Sequence, residues 1–185
     1  MAKKRKNKSG STGPSVSKKQ PAACVLPNLY LGPVSAASNV SFLTNNGITH
    51  VLSIGKSPSA VNHLESINYQ RLGLIDEEDC DIRPVVERAC QFIDSMSSSN
   101  EKVLVHCSAA ISRSPTIVAA YLMKSCGMTL MESLKILVNA RDAIAPNPGF
   151  LRQLVEMERE IFDDTTFDAT AFDGRNKLAN MFTGP

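Results

Sequence analysis

The sequence predicts an α/β fold: a central, mostly parallel, twisted sheet covered by helices. Three observations lead there. Short apolar runs alternate with longer stretches whose apolar residues recur at helical spacing, the pattern of strands connected by crossover helices. One run, Val103-Leu104-Val105, leads straight into the loop His106 to Pro115, and the helical stretch Thr116 to Met123 follows at once. The chain has 185 residues and is 43% hydrophobic, enough for one core-bearing domain with tails.

Residues 1–22 are rich in Lys, Ser, Gly and Pro and are expected to form a disordered tail. Cys24 to Gly32 reads as two short strands around Pro27-Asn28, and Ala36 to Asn46 as a helix stopped by Gly47. His50 to Ile54 is an apolar strand ended by Gly55. Lys56 to Ser66 is expected to loop, and Tyr69 to Ile75 to form another strand. Ile82, Val85, Val86, Ala89, Phe92, Ile93 and Met96 form one stripe of a helix over 82–96. Val103 to Val105 is a buried strand. Helices over 115–125 and 129–141 follow, split by Gly127, the first opening on Pro115, where a missing N–H costs nothing. Pro146 to Gly149 is a turn, and Phe150 to Phe162 a last helix. The final helices are expected to pack on one face. Residues 23–163 thus make the domain and 164–185 a flexible tail. That tail repeats Phe162-Asp163, Phe167-Asp168 and Phe172-Asp173; the five-residue period fits neither helix nor strand, and a solvated segment is preferred over a Phe-anchored docking motif.

Charge is uneven. Residues 1–20 hold seven Lys or Arg and no acid, while the whole chain carries +2, so the remainder is acidic. Lys3-Lys4-Arg5-Lys6 reads either as a nuclear address or nucleic-acid contact, or as a solubilising tail. No apolar run is long enough to span a membrane, no apolar stretch follows the basic start, and Ala2 excludes the myristoylation pattern. The five cysteines, 24, 80, 90, 107 and 126, show no Cys-x2-Cys pair, so no metal or other cofactor is expected. Reduced thiols in cytoplasm or nucleus are the simpler reading.

The chemistry concentrates at Cys107. A cysteine ends a buried strand, Arg113 lies five intervening residues on, and a helix begins. Backbone N–H groups of Cys107, Ser108, Ala109, Ala110, Ile111, Ser112 and Arg113 can converge on an oxyanion, helped by the helix N-terminus. Arg113 can grip two oxygens with its planar fork. Cys107 then sits in a positive field that favours the nucleophilic thiolate.

This Cys-x5-Arg pattern, with His106 before it and Ser114 after it, resembles the signature of the cysteine-dependent protein phosphatases, and its Ser-Arg-Ser form the dual-specificity branch, over roughly residues 23–163. The resemblance implies a protein tyrosine phosphatase-like fold. It implies that Ser114 eases departure of the thiolate, although the same serine also reads as a helix cap. It implies that His106 orients backbone around the cysteine, and that Asn147 braces neighbouring backbone, its alternative being turn formation. It implies a carboxylic acid on the segment Asp76-Glu77-Glu78-Asp79-Cys80-Asp81. Asp76 stands 18 residues before Asp94 and 31 before Cys107, both of which fit the family's pattern; Asp79 and Asp81 are the alternatives, and a run that favours the next helix's dipole is the structural reading. One departure stands out: Ala110 occupies a position where the family usually has glycine, implying either positive φ or close approach to the anion.

The expected function is hydrolysis of phosphotyrosine and phosphoserine/threonine in a phosphoprotein through a phosphocysteine. The alternatives are a non-protein phosphate (phosphoinositide, RNA 5′-phosphate or glucan) and a weakly active phosphobinding module. The uncharged loop residues 108–112 and the absence of Trp speak against the former, and the presence of both Cys107 and Arg113 against the latter.

Overall fold

A computed structural model describes residues 21–55, 64–172 and 178–182. The basic cluster and most of the loop after Gly55 lie outside the described residues. Five strands form one sheet: β1 (Ala23–Leu26), β2 (Leu29–Pro33), β3 (His50–Ile54), β4 (Asn68–Leu72) and β5 (Val103–Cys107), in the order β1-β2-β5-β3-β4. β1 and β2 form an antiparallel hairpin; every other pairing is parallel. The expected α/β architecture is therefore present.

β5 is central and wholly buried. Its residues alternate between two apolar layers, as the two-residue period of a strand dictates. Val103, Val105 and Cys107 join the larger core, while Leu104 joins Tyr30 and Val51 on the other face. The smaller layer is covered by α1 (Val34–Ala37) and α2 (Val40–Asn46). The larger is covered by α3 (Arg83–Ser98), α4 (Arg113–Lys124), α5 (Leu130–Ala140) and α6 (Pro148–Phe162). Ten consecutive residues of α4, Ser114 to Met123, are buried, which marks it as the central helix.

Several elements differ from the sequence reading. The single helix expected over 36–46 is two, because Asn39 leaves helical geometry and caps α2, its Oδ1 accepting the Phe42 N–H at 2.9 Å. The strand expected to reach Ile75 stops at Leu72, opposite Ile54, the last residue of β3. No partner strand among the described residues continues beyond that pair, and residues 73–77 leave the sheet. The expected tail boundaries also move. Ala22 is buried, and a Cβ at Gly32 would lie 2.5 Å from its Cβ. The C-terminal segment is not simply solvated: Phe167, Phe172 and Leu178 are buried in the main core. Short 3-10 turns at Ala169–Ala171 and Leu178–Met181 carry the chain there, which is why no regular period showed. Glu158, fully buried on α6, secures this segment. Its carboxylate accepts from Leu130 N at 2.7 Å, Thr166 N at 2.8 Å and Thr166 Oγ1 at 2.6 Å. Among the described residues no helix is long and apolar enough to cross a membrane.

Candidate active site

The cup lies where β5 passes into α4. Cys107 ends the strand and is 2% exposed. The loop after it is held from outside by its carbonyls. Ser108 O accepts from Val34 N at 3.2 Å and Ile111 O from Ala145 N at 2.9 Å, while Arg141 Nη2 approaches Ala109 O at 3.5 Å. Carbonyls turned outward leave the loop's amides free to face the centre, the arrangement of an anion nest. Ser112 occupies the N-cap position of α4 but makes no side-chain cap bond, so its side chain does not take up the helix's first amides.

Ala110 is wholly buried with φ 55, the left-handed region. Of the two reasons for a glycine at this position, positive φ is present in the backbone itself.

Arg113 opens α4 and folds back over the loop. Its Nη2 donates to Ser108 Oγ at 3.1 Å. Its Nη1 lies against Gly55, where a Cβ would stand only 2.4 Å away; Gly55 has φ 99. Its Nε is buried without a hydrogen-bond partner and lies 3.6 Å from Asp76 Oδ2. A buried, unspent guanidinium N–H is a group awaiting an oxygen. Gly55 did not emerge from the sequence as a site residue; the one signal was a glycine directly after an apolar strand.

Ser114 is fully buried and is not a cap. It stands inside α4, and its Oγ donates to Cys107 Sγ at 3.2 Å. His106 is also fully buried, on the opposite face of β5 from Cys107. Its Nδ1 donates to Cys107 O at 3.3 Å, so Nε2 accepts the Ser53 hydroxyl at 2.7 Å. Burial lowers its pKa below the ordinary imidazole value, which keeps the ring neutral.

Asp76 lies on the irregular segment after β4. Its Oδ1 accepts from Ser112 Oγ at 2.6 Å and from Asn147 Nδ2 at 2.9 Å. Of the alternatives, Asp81 turns to the start of α3 and accepts from Arg83 N at 2.9 Å. Asp79 groups with Glu77 and Cys80 on the surface, their possible ligand atoms within 4.8 Å of one another; exposed acidic groups of this kind are common without an ion. Asn147 caps α6 by accepting Phe150 N at 2.9 Å, so it serves both the turn and the site. An open cleft of about 690 Å³ adjoins the cup, lined by Gly55, Arg71, Ile75, Asp76, Glu77 and Arg113 among others. Ile75 and Ile111 are exposed apolar side chains on the segments that border the cup.

Residues 29–160 match the model of the dual specificity phosphatase catalytic domain. The chain belongs to the dual specificity phosphatase family. Dual specificity protein phosphatase 1 of Arabidopsis thaliana is 39% identical over 133 residues, 72% of this chain and 67% of that protein. Dual specificity protein phosphatase 5 of Rattus norvegicus is 39% identical over 143 residues, 76% of this chain but only 36% of that longer protein. Among solved structures, the human tyrosine phosphatase-like serine/threonine/tyrosine-interacting protein has a TM-score of 0.69 at 33% identity, covering 76% of this chain and 97% of that one. The domain is that of a cysteine-based protein phosphatase for tyrosine and serine/threonine, with Cys107 buried at the end of its central strand.

Proposed function

We propose that four side chains divide the hydrolysis of a phosphoprotein between them. Cys107 attacks phosphorus as the thiolate. Loop amides and Arg113 hold the three non-bridging oxygens, whose charge spreads as the bond to the leaving oxygen breaks. Asp76 gives its proton to that oxygen, and the alcohol departs, leaving phosphate on Cys107 sulfur. Asp76, now a carboxylate, takes a proton from water as water attacks phosphorus. The S–P bond breaks, and Ser114 donates a hydrogen bond to the returning thiolate. The observation that supports this division is a pair of contacts at the cup: Ser114 Oγ on Cys107 Sγ, and Asp76 tethered to Ser112 of the loop. Uncharged residues at 108–112 favour a phosphoamino acid over a highly charged phosphoinositide or RNA end.

The test is turnover of phosphotyrosine and phosphothreonine peptides with EDTA present, together with acid-quench trapping of a phosphoenzyme. Cys107→Ser should keep the fold and oxyanion binding but lose turnover and trapping. Turnover in that variant removes the covalent route.

A weakly active, phosphobinding role is the second reading, favoured by the left-handed Ala110; a bound phosphopeptide that is not turned over would support it. For the basic cluster Lys3 to Lys6 we propose import to the nucleus or contact with nucleic acid, and hence a nuclear as well as a cytoplasmic location; deletion of residues 1–20 should change distribution in cells.

A further inference from the structure

We infer that Arg71 forms a second anion subsite beside the cup, one that takes a carboxylate or phosphate on a residue flanking the phosphoamino acid of the substrate. This rests on the reading of Cys107 and Arg113 as the cup that holds the phosphoryl group.

Arg71 is the last residue but one of β4, the edge strand beside β3. Its side chain is exposed but anchored: Nε donates to the carbonyl of Gly55. Gly55 in turn donates its N–H to Leu72 O at 2.8 Å, so β4 grips this glycine by both backbone groups. Arg113 stands against the same residue, since a Cβ at Gly55 would lie 2.4 Å from Arg113 Nη1. Two guanidinium groups thus converge on one glycine, and like charges brought together repel. Arg113 has Asp76 Oδ2 at 3.6 Å, whereas among the described residues no carboxylate pairs with Arg71.

Three acids line the same cleft, and each is engaged away from Arg71. Asp76 Oδ1 accepts from Ser112 and Asn147, and Asp81 accepts from Arg83 N at 2.9 Å. A carboxylate oxygen of Glu77 lies within 4.8 Å of Asp79 and Cys80. With Nε committed to Gly55, the two Nη groups of Arg71 remain, and their planar edge matches a carboxylate or phosphate. The bond to Gly55 also orients the fork, which reduces the ordering cost that weakens most surface arginine contacts. The cleft of about 690 Å³ is lined by Arg71 and Arg113 together. A peptide whose phosphoryl group rests on Arg113 therefore carries a neighbouring side chain past Arg71. Loop residues 108–112 are uncharged, so the added positive charge is offered outside the cup, to a flanking residue of a peptide.

The experiment measures loss of phosphotyrosine from peptides that carry Glu, phosphothreonine, Gln or Lys at each of the two positions on either side of it. The parent chain is compared with Arg71→Gln and Arg71→Glu. At one position or more, the parent should turn over the Glu or phosphothreonine peptide about three- to tenfold better than the Gln peptide in kcat/KM, chiefly through KM. The Glu and phosphothreonine arms show which anion the subsite takes. In Arg71→Gln that ratio should fall to about one, and in Arg71→Glu the Lys peptide should become the better substrate at the same position. A parent ratio near one at every position, or a ratio that survives Arg71→Gln, overturns the subsite. So does a loss shared equally by acidic and neutral peptides, which is what a purely structural contact with Gly55 would give. Arg71-dependent turnover of a phosphoinositide headgroup, faster than that of every peptide, would overturn the assignment to a peptide. Absence of turnover of all peptides by the parent would instead remove the reading of the cup, and the subsite with it.

Discussion

Ala110→Gly tests the strained point of the phosphate loop. Ala110 holds φ 55 and is wholly buried. An L-residue in left-handed backbone carries about 1–2 kcal/mol of strain, which glycine removes. Two terms oppose that gain. The unfolded glycine chain has more freedom to lose, about 0.4–1 kcal/mol. One buried methyl is forfeited, about 0.8 kcal/mol. The terms cancel to within about 1 kcal/mol, and a domain of this size melts about 2–4 °C lower or higher per kcal/mol. A thermal melt should therefore place the variant within about 4 °C of the parent. The outward carbonyl bonds at Ser108 and Ile111 do not involve residue 110, so the loop should keep its shape. kcat/KM for an aryl phosphate should stay equal or rise, and orthovanadate should bind as tightly or more so. A clear fall in kcat/KM, or a drop beyond about 8 °C, would show that the methyl is fitted to its site and that strain is not what distinguishes this loop.

Three further outcomes are expected. Asp76→Asn should lower turnover of poor leaving groups by about 10²–10⁴ and spare good ones; steady-state kinetics across a leaving-group series decides it, and an equal loss throughout would reassign Asp76 to structure. Gly55→Ala puts a Cβ 2.4 Å from Arg113 Nη1, in backbone with φ 99. Displacing the guanidinium by about an ångström should cost about 10²-fold in kcat/KM, and near-parental activity would show that Arg113 has room to move. Truncation after Asp163 removes buried Phe167, Phe172 and Leu178, each worth about 1.5–3 kcal/mol, and leaves Glu158 without its Thr166 partners. The urea midpoint should fall steeply or the chain should fail to fold; an unchanged midpoint would make the segment dispensable.

The strand, loop and helix around Cys107 were legible because they are contiguous: the apolar run, the cysteine, the arginine and the helical stripe follow one another in the chain. Asp76 was reachable only through spacing that the family resemblance supplied, since nothing local separates it from Asp79 and Asp81. The contact of Ser112 with Asp76 spans 36 residues and that of Asn147 with Asp76 spans 71, and neither leaves a periodic mark. Ser114 was open between cap and thiol partner, because which way a hydroxyl points depends on where α4 starts. The C-terminal phenylalanines were misjudged for a related reason. Their burial is set by how the chain after α6 packs back on α5 and α6 and by the Glu158 carboxylate, not by a period of their own.

The pairing of His106 with Ser53 bears on how the sheet finds its alignment. β5 runs between two parallel neighbours, with His106 opposite Ser53 on β3. Alternating side chains make a one-residue slip drastic, because every residue changes face. A slipped β5 would bring an imidazole to the floor of the cup and bury a thiol against α1 and α2. The apolar residues Val103, Leu104 and Val105 discriminate weakly against that error, since all three suit either side. The hydroxyl of Ser53 and the imidazole do not: separated, the buried Ser53 Oγ and His106 Nε2 would each lose the hydrogen bond they share. A single polar bond inside an apolar layer thus weighs against the misaligned register, in which the nucleophile would stand on the wrong side of the sheet.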